Sequence, residues 1–278
     1  MVSASGSLPT AAVLTGVYLY ARLQSLAGLG LAESSSHDGA VAPPRRSLRS
    51  ALVTSGLARH VMGFKMSDGS RVRCRIVDGG GLLSVHVDRD YELPGIEWSK
   101  VRTIVDIGAH VGTFTIWAAL RAPQARCLAV EPNPNSFRLL VDNIRRNGLQ
   151  ERVTAVNAAA GPRPGIGHLE LIEHSLGTRL TRGGEGGLSV KVESIDNLLS
   201  ENDLQNVDVF KIDCEGMEYE IFEAMSAERL RAINAVMCEY HPVPGHDVAE
   251  LDGILRAVGF VVGRPNSALG VLTATRPG

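Results

Sequence analysis

The sequence predicts an α/β fold: a mostly parallel sheet closed by a C-terminal antiparallel hairpin, preceded by an accessory region of helices and short antiparallel strands. Three observations carry this reading. Beyond Lys100, β-rich runs alternate with helical runs, the order that builds parallel strands through right-handed crossovers. Thr103–Ile107 leads directly into a glycine-bearing turn and then a helical stretch. The chain ends on two apolar runs, Phe260-Val261-Val262 and Val271-Leu272-Thr273, separated by a turn. With 278 residues, 44% of them hydrophobic and 21% charged, the chain can bury a sizeable core without disulfide or metal staples. The composition is that of a soluble globular protein. Two regions are expected, an accessory or lid region over 1–94 and the main α/β domain over 95–278.

Taken in order, Pro9 and the glycines at 28 and 30 bracket an apolar helical stretch with Leu14, Tyr18 and Leu26 as burial candidates. A loop rich in Ser, Pro and Gly over 33–47 leads to a second short helix over 48–58. Val72, Cys74 and Ile76 then alternate with Arg71, Arg73 and Arg75, and Val85 and Val87 flank His86. This period of two, broken at Asp68-Gly69 and at Gly79-Gly80-Gly81, predicts short antiparallel strands. The main strands are expected over 103–107, 127–131, 153–157, 207–213 and 235–240. After the second of these, Asn133 reads as a helix N-cap, with Pro134 at the first position and Gly148 past the end. Phe137, Leu140, Val141 and Ile144 form its apolar face. Two further strands, 165–173 and 188–194, flank a glycine-rich tip, and a helix over 248–258 precedes the final hairpin. The tip and the N-terminal helices are expected to cover the pocket mouth, where loops select ligands.

Lys and Arg total 28 against 30 Asp and Glu, a formal charge of −2, so there is no global basic field to hold nucleic acid. Cys74, Cys127, Cys214 and Cys238 form no close CxxC pair and read as reduced packing residues. The apolar stretch 11–21 is short for a membrane span and lacks the basic residues of a signal peptide. These features together predict a cytoplasmic protein with no membrane partner.

The chemistry concentrates in Thr103-Ile-Val-Asp-Ile-Gly-Ala-His-Val-Gly112. Gly108 and Gly112 allow a tight turn and the close approach of a ligand to a helix N-terminus, and Asp106 can anchor that loop or meet a cation. The D-x-G-x-x-x-G spacing lacks the third glycine of a dinucleotide fingerprint. A purely structural strand-to-helix turn is the alternative. About 20 residues on, the next strand ends at Glu131-Pro132-Asn133, the spacing at which an acid reaches ribose hydroxyls.

VDIGAHVGTFT, AVEPNPNSFRLLVDNIRRNG and KIDCEGMEYEIF together make the segment from Tyr91 to Tyr240 resemble the FkbM family of S-adenosylmethionine-dependent methyltransferases. The resemblance implies a Rossmann-like class I methyltransferase sheet whose last strand inserts antiparallel. It implies that Asp106, Gly108, Ala109, His110 and Gly112 surround the amino-acid end and sulfonium of S-adenosylmethionine, and that Glu131, with Pro132 and Asn133, holds the ribose. Asn157 is the candidate for the adenine edge, or else caps a turn. Asp196 reads as a helix N-cap rather than a ligand. The expected reaction is O-methylation of a small-molecule hydroxyl, on a secondary metabolite or its sugar, leaving S-adenosylhomocysteine.

Asp213, Glu215, Glu239 and His241 follow the ends of the fourth and fifth strands, where ligands bind in open α/β sheets. Asp213, Glu239 and His241 are the catalytic candidates. Crowded carboxylates raise one another's proton affinity, and an unperturbed imidazole can take a proton near neutral pH. Blander roles exist: Asp213 or Glu215 pairing with Lys211 or backbone amides, His241 ordering the Pro242 turn. The spacing lacks a metal-ligand signature, so no metal is assigned. His60, His86, His168 and His174 occur singly and read as surface or packing residues. N-methyl transfer to an amine is the nearest rival. A non-catalytic binding module and a nicotinamide-dependent dehydrogenase stand further off.

Overall fold

The computed structural model describes residues 3–5, 59–93, 95–171, 178–181, 187–263 and 270–277. Both expected N-terminal helices, all but Gly187 of the glycine-rich tip over 183–187, and the turn over 264–268 lie outside these residues.

Strands β1 (Ser3–Ser5), β2 (Val61–Lys65) and β3 (Arg71–Arg75) form an antiparallel sheet in that order. The β2–β3 turn falls at Asp68-Gly69 as expected, with Gly69 at φ +91° and Asp68 accepting from the Ser70 amide and hydroxyl. The strand expected at Val85–Val87 is a helical run instead. A 3-10 turn over Ile76–Asp78, α1 (Gly79–Leu83) and a π turn over Ser84–Asp88 follow one another directly. Val85 is buried and Val87 is 50% exposed, so their spacing of two marks opposite sides of a helix. Three successive glycines each cost a helix about 1 kcal/mol, yet burial of Val77, Leu82 and Val85 overrides that preference.

The main sheet begins with β4 (Thr103–Ile107), α2 (Thr113–Arg121), β5 (Arg126–Val130), α3 (Pro134–Arg146) and β6 (Val153–Val156). The caps of α3 are those expected: Asn133 accepts from Asn135 N at 2.9 Å, Pro134 opens the helix and Gly148 leaves it at φ +67°. A second sheet follows, built from β7 (Ala159–Ala160), β8 (Gly165–Leu171), β9 (Thr178–Thr181) and β10 (Leu188–Glu193) in the order β7-β10-β8-β9. The chain returns through α4 (Ile195–Glu201), β11 (Val207–Ile212), α5 (Glu218–Ala224), α6 (Ala227–Arg231), β12 (Ile233–Glu239) and α7 (Val248–Ala257). It closes with β13 (Val261–Gly263) and β14 (Val271–Thr275). Asp196 does not cap α4: Ser194 does, accepting from Asn197 N, while Asp196 sits in the first turn and pairs with Arg229 at 2.8 Å.

The seven main strands run in the order β13-β14-β12-β11-β4-β5-β6. Only β14 opposes its neighbours, pairing antiparallel with both β12 and β13, so the terminal hairpin inserts the last strand as expected. Strands such as β4 and β11 are buried almost throughout because helices cover both faces of the sheet. One core packs Phe210, Ile212 and Leu128 against Leu198, Phe222 and Leu255. The other packs Ile104, Val209 and Met237 against Trp117, Leu140 and Ile144. The strand order turns back between β4 and β11, and that switch point opens a crevice at their C-terminal ends. Among the described residues, no helix is long and apolar enough to cross a membrane.

Candidate active site

Glu131, Asn157 and Asp213 each lie one position beyond β5, β6 and β11, where the chain is free to turn across the crevice. Glu131 is buried; its Oε1 accepts from Asn133 N and its Oε2 from His110 N, both at 2.8 Å. These bonds clasp the loop after β4 to the loop after β5. Burial pushes the Glu131 pKa up, against the pull of His110 and these amides. Each oxygen keeps a lone pair for a ligand hydroxyl. Asn157 donates from Nδ2 to the carbonyls of Glu131 (2.7 Å) and Pro132 (3.1 Å), bracing the same loop.

The two loop glycines serve the protein's own packing. Gly108 has φ +74°, and a Cβ there would stand 1.8 Å from the Asp213 carbonyl oxygen. Gly112, the N-cap of α2, has φ +86°, and a Cβ would stand 2.6 Å from Leu140 Cδ1. The sequence reading has both glycines admitting a ligand; in the fold they admit the β11 loop and α3. Ala109 is buried between them, and its amide and that of Gly108 both donate to the Val130 carbonyl. His110 takes φ +53°, unusual for a side-chain-bearing residue, and remains half-buried.

Asp106 is closed off, with 1% of its surface exposed. Its Oδ1 lies 3.2 Å from Lys211 Nζ and its Oδ2 accepts from the Thr115 hydroxyl, so the cation it meets belongs to its own chain. Lys211 also donates to the Gly108 carbonyl at 2.9 Å and lies 3.8 Å from Asp213 Oδ2. Burial opposes the charge on Lys211, but Asp106, Asp213 and Glu239 overcome it and hold the ammonium protonated.

Donor atoms of Asp213, Glu239 and His241 all lie within 4.8 Å of one another. Such a set can grip one acceptor hydroxyl, or a divalent cation. Glu239 is half-buried beside Asp213, and desolvation together with the Asp213 charge pushes its carboxyl up to about 7 even though Tyr91 donates to its Oε2 at 2.8 Å. The environment of His241 differs from the expectation of an unperturbed imidazole. Its Nδ1 lies 3.0 Å from Glu218 Oε1, and its Nε2 lies 3.5 Å from Glu215 Oε2 and 3.9 Å from Asp213 Oδ1. Burial works against its charge, but the Glu218 hydrogen bond and the Asp213, Glu218 and Glu215 charges outweigh that and raise its pKa to about 9. At neutral pH His241 is therefore an imidazolium that donates.

Glu218 and Tyr91 are the partners that sequence reasoning missed. Glu218 is fully buried and accepts from the amides of Cys214 (2.8 Å) and Gly216 (2.9 Å), so the loop after β11 wraps around its carboxylate. Its one signal was a charge set between Met217 and Tyr219. Tyr91 carried none, since its partner lies 148 residues away.

Residues 106–262, more than half of the chain, match the profile of the methyltransferase FkbM domain. The chain belongs to the FkbM methyltransferase family. It is a methyltransferase, and S-adenosylmethionine is its methyl donor. Curated relatives include the AMB antimetabolite synthetase AmbE of Pseudomonas aeruginosa, 24% identical over 66% of this chain and 11% of that protein. The hexuronic acid methyltransferase AglP of Haloferax volcanii is 27% identical over 57% of this chain and 69% of its own. The 31-O-demethyl-FK506 methyltransferase FkbM of Streptomyces tacrolimicus is 25% identical over 64% and 80%. The chain thus spans about a tenth of AmbE and more than two thirds of the other two.

Proposed function

We propose that this FkbM-family chain is an O-methyltransferase acting on a hydroxyl of a small molecule, a secondary metabolite or its sugar. The observation that carries this reading is the convergence of Asp213, Glu239 and His241 against the loop that bears Gly108. In this scheme the cofactor's ribose hydroxyls bind Glu131 beside Pro132 and Asn133, with Asn157 bracing that loop under the adenine. The amino-acid end lies over Ala109, His110 and the start of α2 at Gly112. Asp106 acts from behind, fixing Lys211. When bound, S-adenosylmethionine would supply the methyl group, its sulfur keeping the electron pair of the C–S bond, and Glu239 would take the proton from the acceptor hydroxyl. Glu239 suits this role because its proton affinity lies near neutral pH. Asp213 and the His241 imidazolium orient the hydroxyl. Holding donor and acceptor in line can supply on the order of 7–11 kcal/mol of the barrier.

The same cluster disfavours an amine acceptor. Among the described residues, five carboxylates, those of Asp106, Asp213, Glu215, Glu218 and Glu239, gather around Lys211 and His241. Such a field keeps an amine protonated, with no lone pair to attack. The names of the relatives AglP and 31-O-demethyl-FK506 methyltransferase, a hexuronic acid and an O-demethyl compound, agree with a hydroxyl-bearing acceptor. The test is a mass-spectrometric screen of polyhydroxylated acceptors with S-adenosylmethionine, reading a gain of one methylene and locating it by fragmentation. Methyl found only on nitrogen refutes O-methylation, and no binding of S-adenosylhomocysteine by calorimetry refutes the proposed cofactor site.

A further inference from the structure

Beneath the cofactor loop lies a carboxylate that this scheme leaves unused. Asp78 has no exposed side-chain surface. Its Oδ2 accepts from the Arg75 backbone amide and from Arg75 Nε, both at 2.8 Å. Its Oδ1 is buried without a hydrogen-bond partner and faces His110 Nε2 at 3.4 Å. Arg75 Nη2 lies 3.2 Å from that same ring nitrogen and also donates to Ser136 Oγ at 2.9 Å.

One ring nitrogen cannot serve both neighbours. With a hydrogen, Nε2 donates to Asp78; bare, it accepts from Arg75. Arg75 Nη2 already has Ser136 as an acceptor, whereas Asp78 Oδ1 has nothing else. A buried charged oxygen left unpaired is the costlier outcome, so the hydrogen belongs on Nε2. The other nitrogen, Nδ1, has no partner among the described residues, and 35% of the side chain is exposed. Nδ1 is thus the ring atom available to a ligand at this end of the crevice.

We propose that Asp78, in the accessory region, is a positioning residue that accepts from His110 Nε2–H and so favours the imidazolium, whose Nδ1–H faces the amino-acid end of S-adenosylmethionine and donates to its carboxylate. The inference rests on the cofactor placement given above. The charged groups facing His110 are Asp78 from the 3-10 turn, Arg75 from β3 and Glu131 from the end of β5. Burial and Arg75 oppose its protonation, but Asp78 and Glu131 prevail and raise its pKa, so Nδ1 carries a hydrogen over a wider pH range than in a free imidazole.

Calorimetry with S-adenosylhomocysteine and with 5′-methylthioadenosine, which lacks the amino-acid end, separates this role from a structural one. Asp78→Asn should weaken S-adenosylhomocysteine about tenfold. It should change 5′-methylthioadenosine by less than twofold, and the decline of S-adenosylhomocysteine affinity from pH 6 to pH 8 should shrink. His110→Asn leaves Asp78 and its hairpin in place and tolerates the left-handed backbone, so it should reproduce both effects; it decides the matter should Asp78→Asn fail to fold. Wild-type affinity in these variants, or equal weakening of the two ligands, overturns the inference. A wild-type chain that binds neither ligand overturns the cofactor placement itself.

Discussion

Tyr91 reaches Glu239 from a segment 148 residues earlier and is the only described donor bonded to that carboxylate. The bond favours the ionised form of Glu239, against burial and the Asp213 charge, which favour the acid. Removing the phenol hydroxyl therefore raises the Glu239 pKa above about 7. Tyr91→Phe should move the acid limb of the kcat profile to higher pH while leaving the KM for S-adenosylmethionine within a few-fold; a profile that stays in place would detach Tyr91 from the proton transfer. Glu239→Gln keeps the shape and the Tyr91 contact but cannot take a proton. It should lower kcat by about a hundredfold or more with cofactor affinity little changed. Equal turnover of wild type and variant at saturating acceptor would move the base elsewhere.

At the scale of elements, α3 does two jobs. Its first turn follows the loop that bears Glu131, and its C-terminal part holds the β2–β3 hairpin. Asn143 and Asn147, one turn apart, present their side-chain amides to β3 as another strand would: Asn143 accepts from Arg73 N and donates to Arg73 O, and Asn147 does the same with Arg71. Asn143 Nδ2 also donates to the Val111 carbonyl, tying hairpin, helix and the loop after β4 through one side chain. Asn143→Ala strands these buried groups and should cost about 2–4 kcal/mol, read as a lower midpoint in urea denaturation. A loss below about 0.5 kcal/mol would mean that solvent replaces these bonds. The strands, the α3 caps, the terminal hairpin and the convergence of Asp213, Glu239 and His241 were legible in the sequence because each rests on local period, turn chemistry or strand order. The amide ladder, the helical run after β3 and the Asp78–His110 contact were not. Each depends on partners dozens of residues away, and at Gly79–Gly81 the local preference pointed the other way.

For the whole molecule, the acid-rich crevice joins α5, the β11 loop and β12, so its protonation is coupled to folding. His241 has an ordinary pKa near 6.5 and is raised to about 9 by its carboxylate neighbours. A raised folded-state pKa means that the native chain binds more protons than the unfolded one between these values, so stability falls as pH rises through that window. Its contribution, up to about 3 kcal/mol, is complete below pH 6.5 and lost above about 9. Glu239, raised from 4.5 to about 7, adds a loss of the same sign at lower pH. The melting temperature should therefore fall between pH 6.5 and 9.5 in the wild type. His241→Asn, which cannot carry the proton, should melt lower at pH 6.5 and lose most of that decline. Parallel melting curves for wild type and variant across this range would show that Glu218, Asp213 and Glu215 do not hold His241 as an imidazolium, and the donor role assigned to it would fall with them.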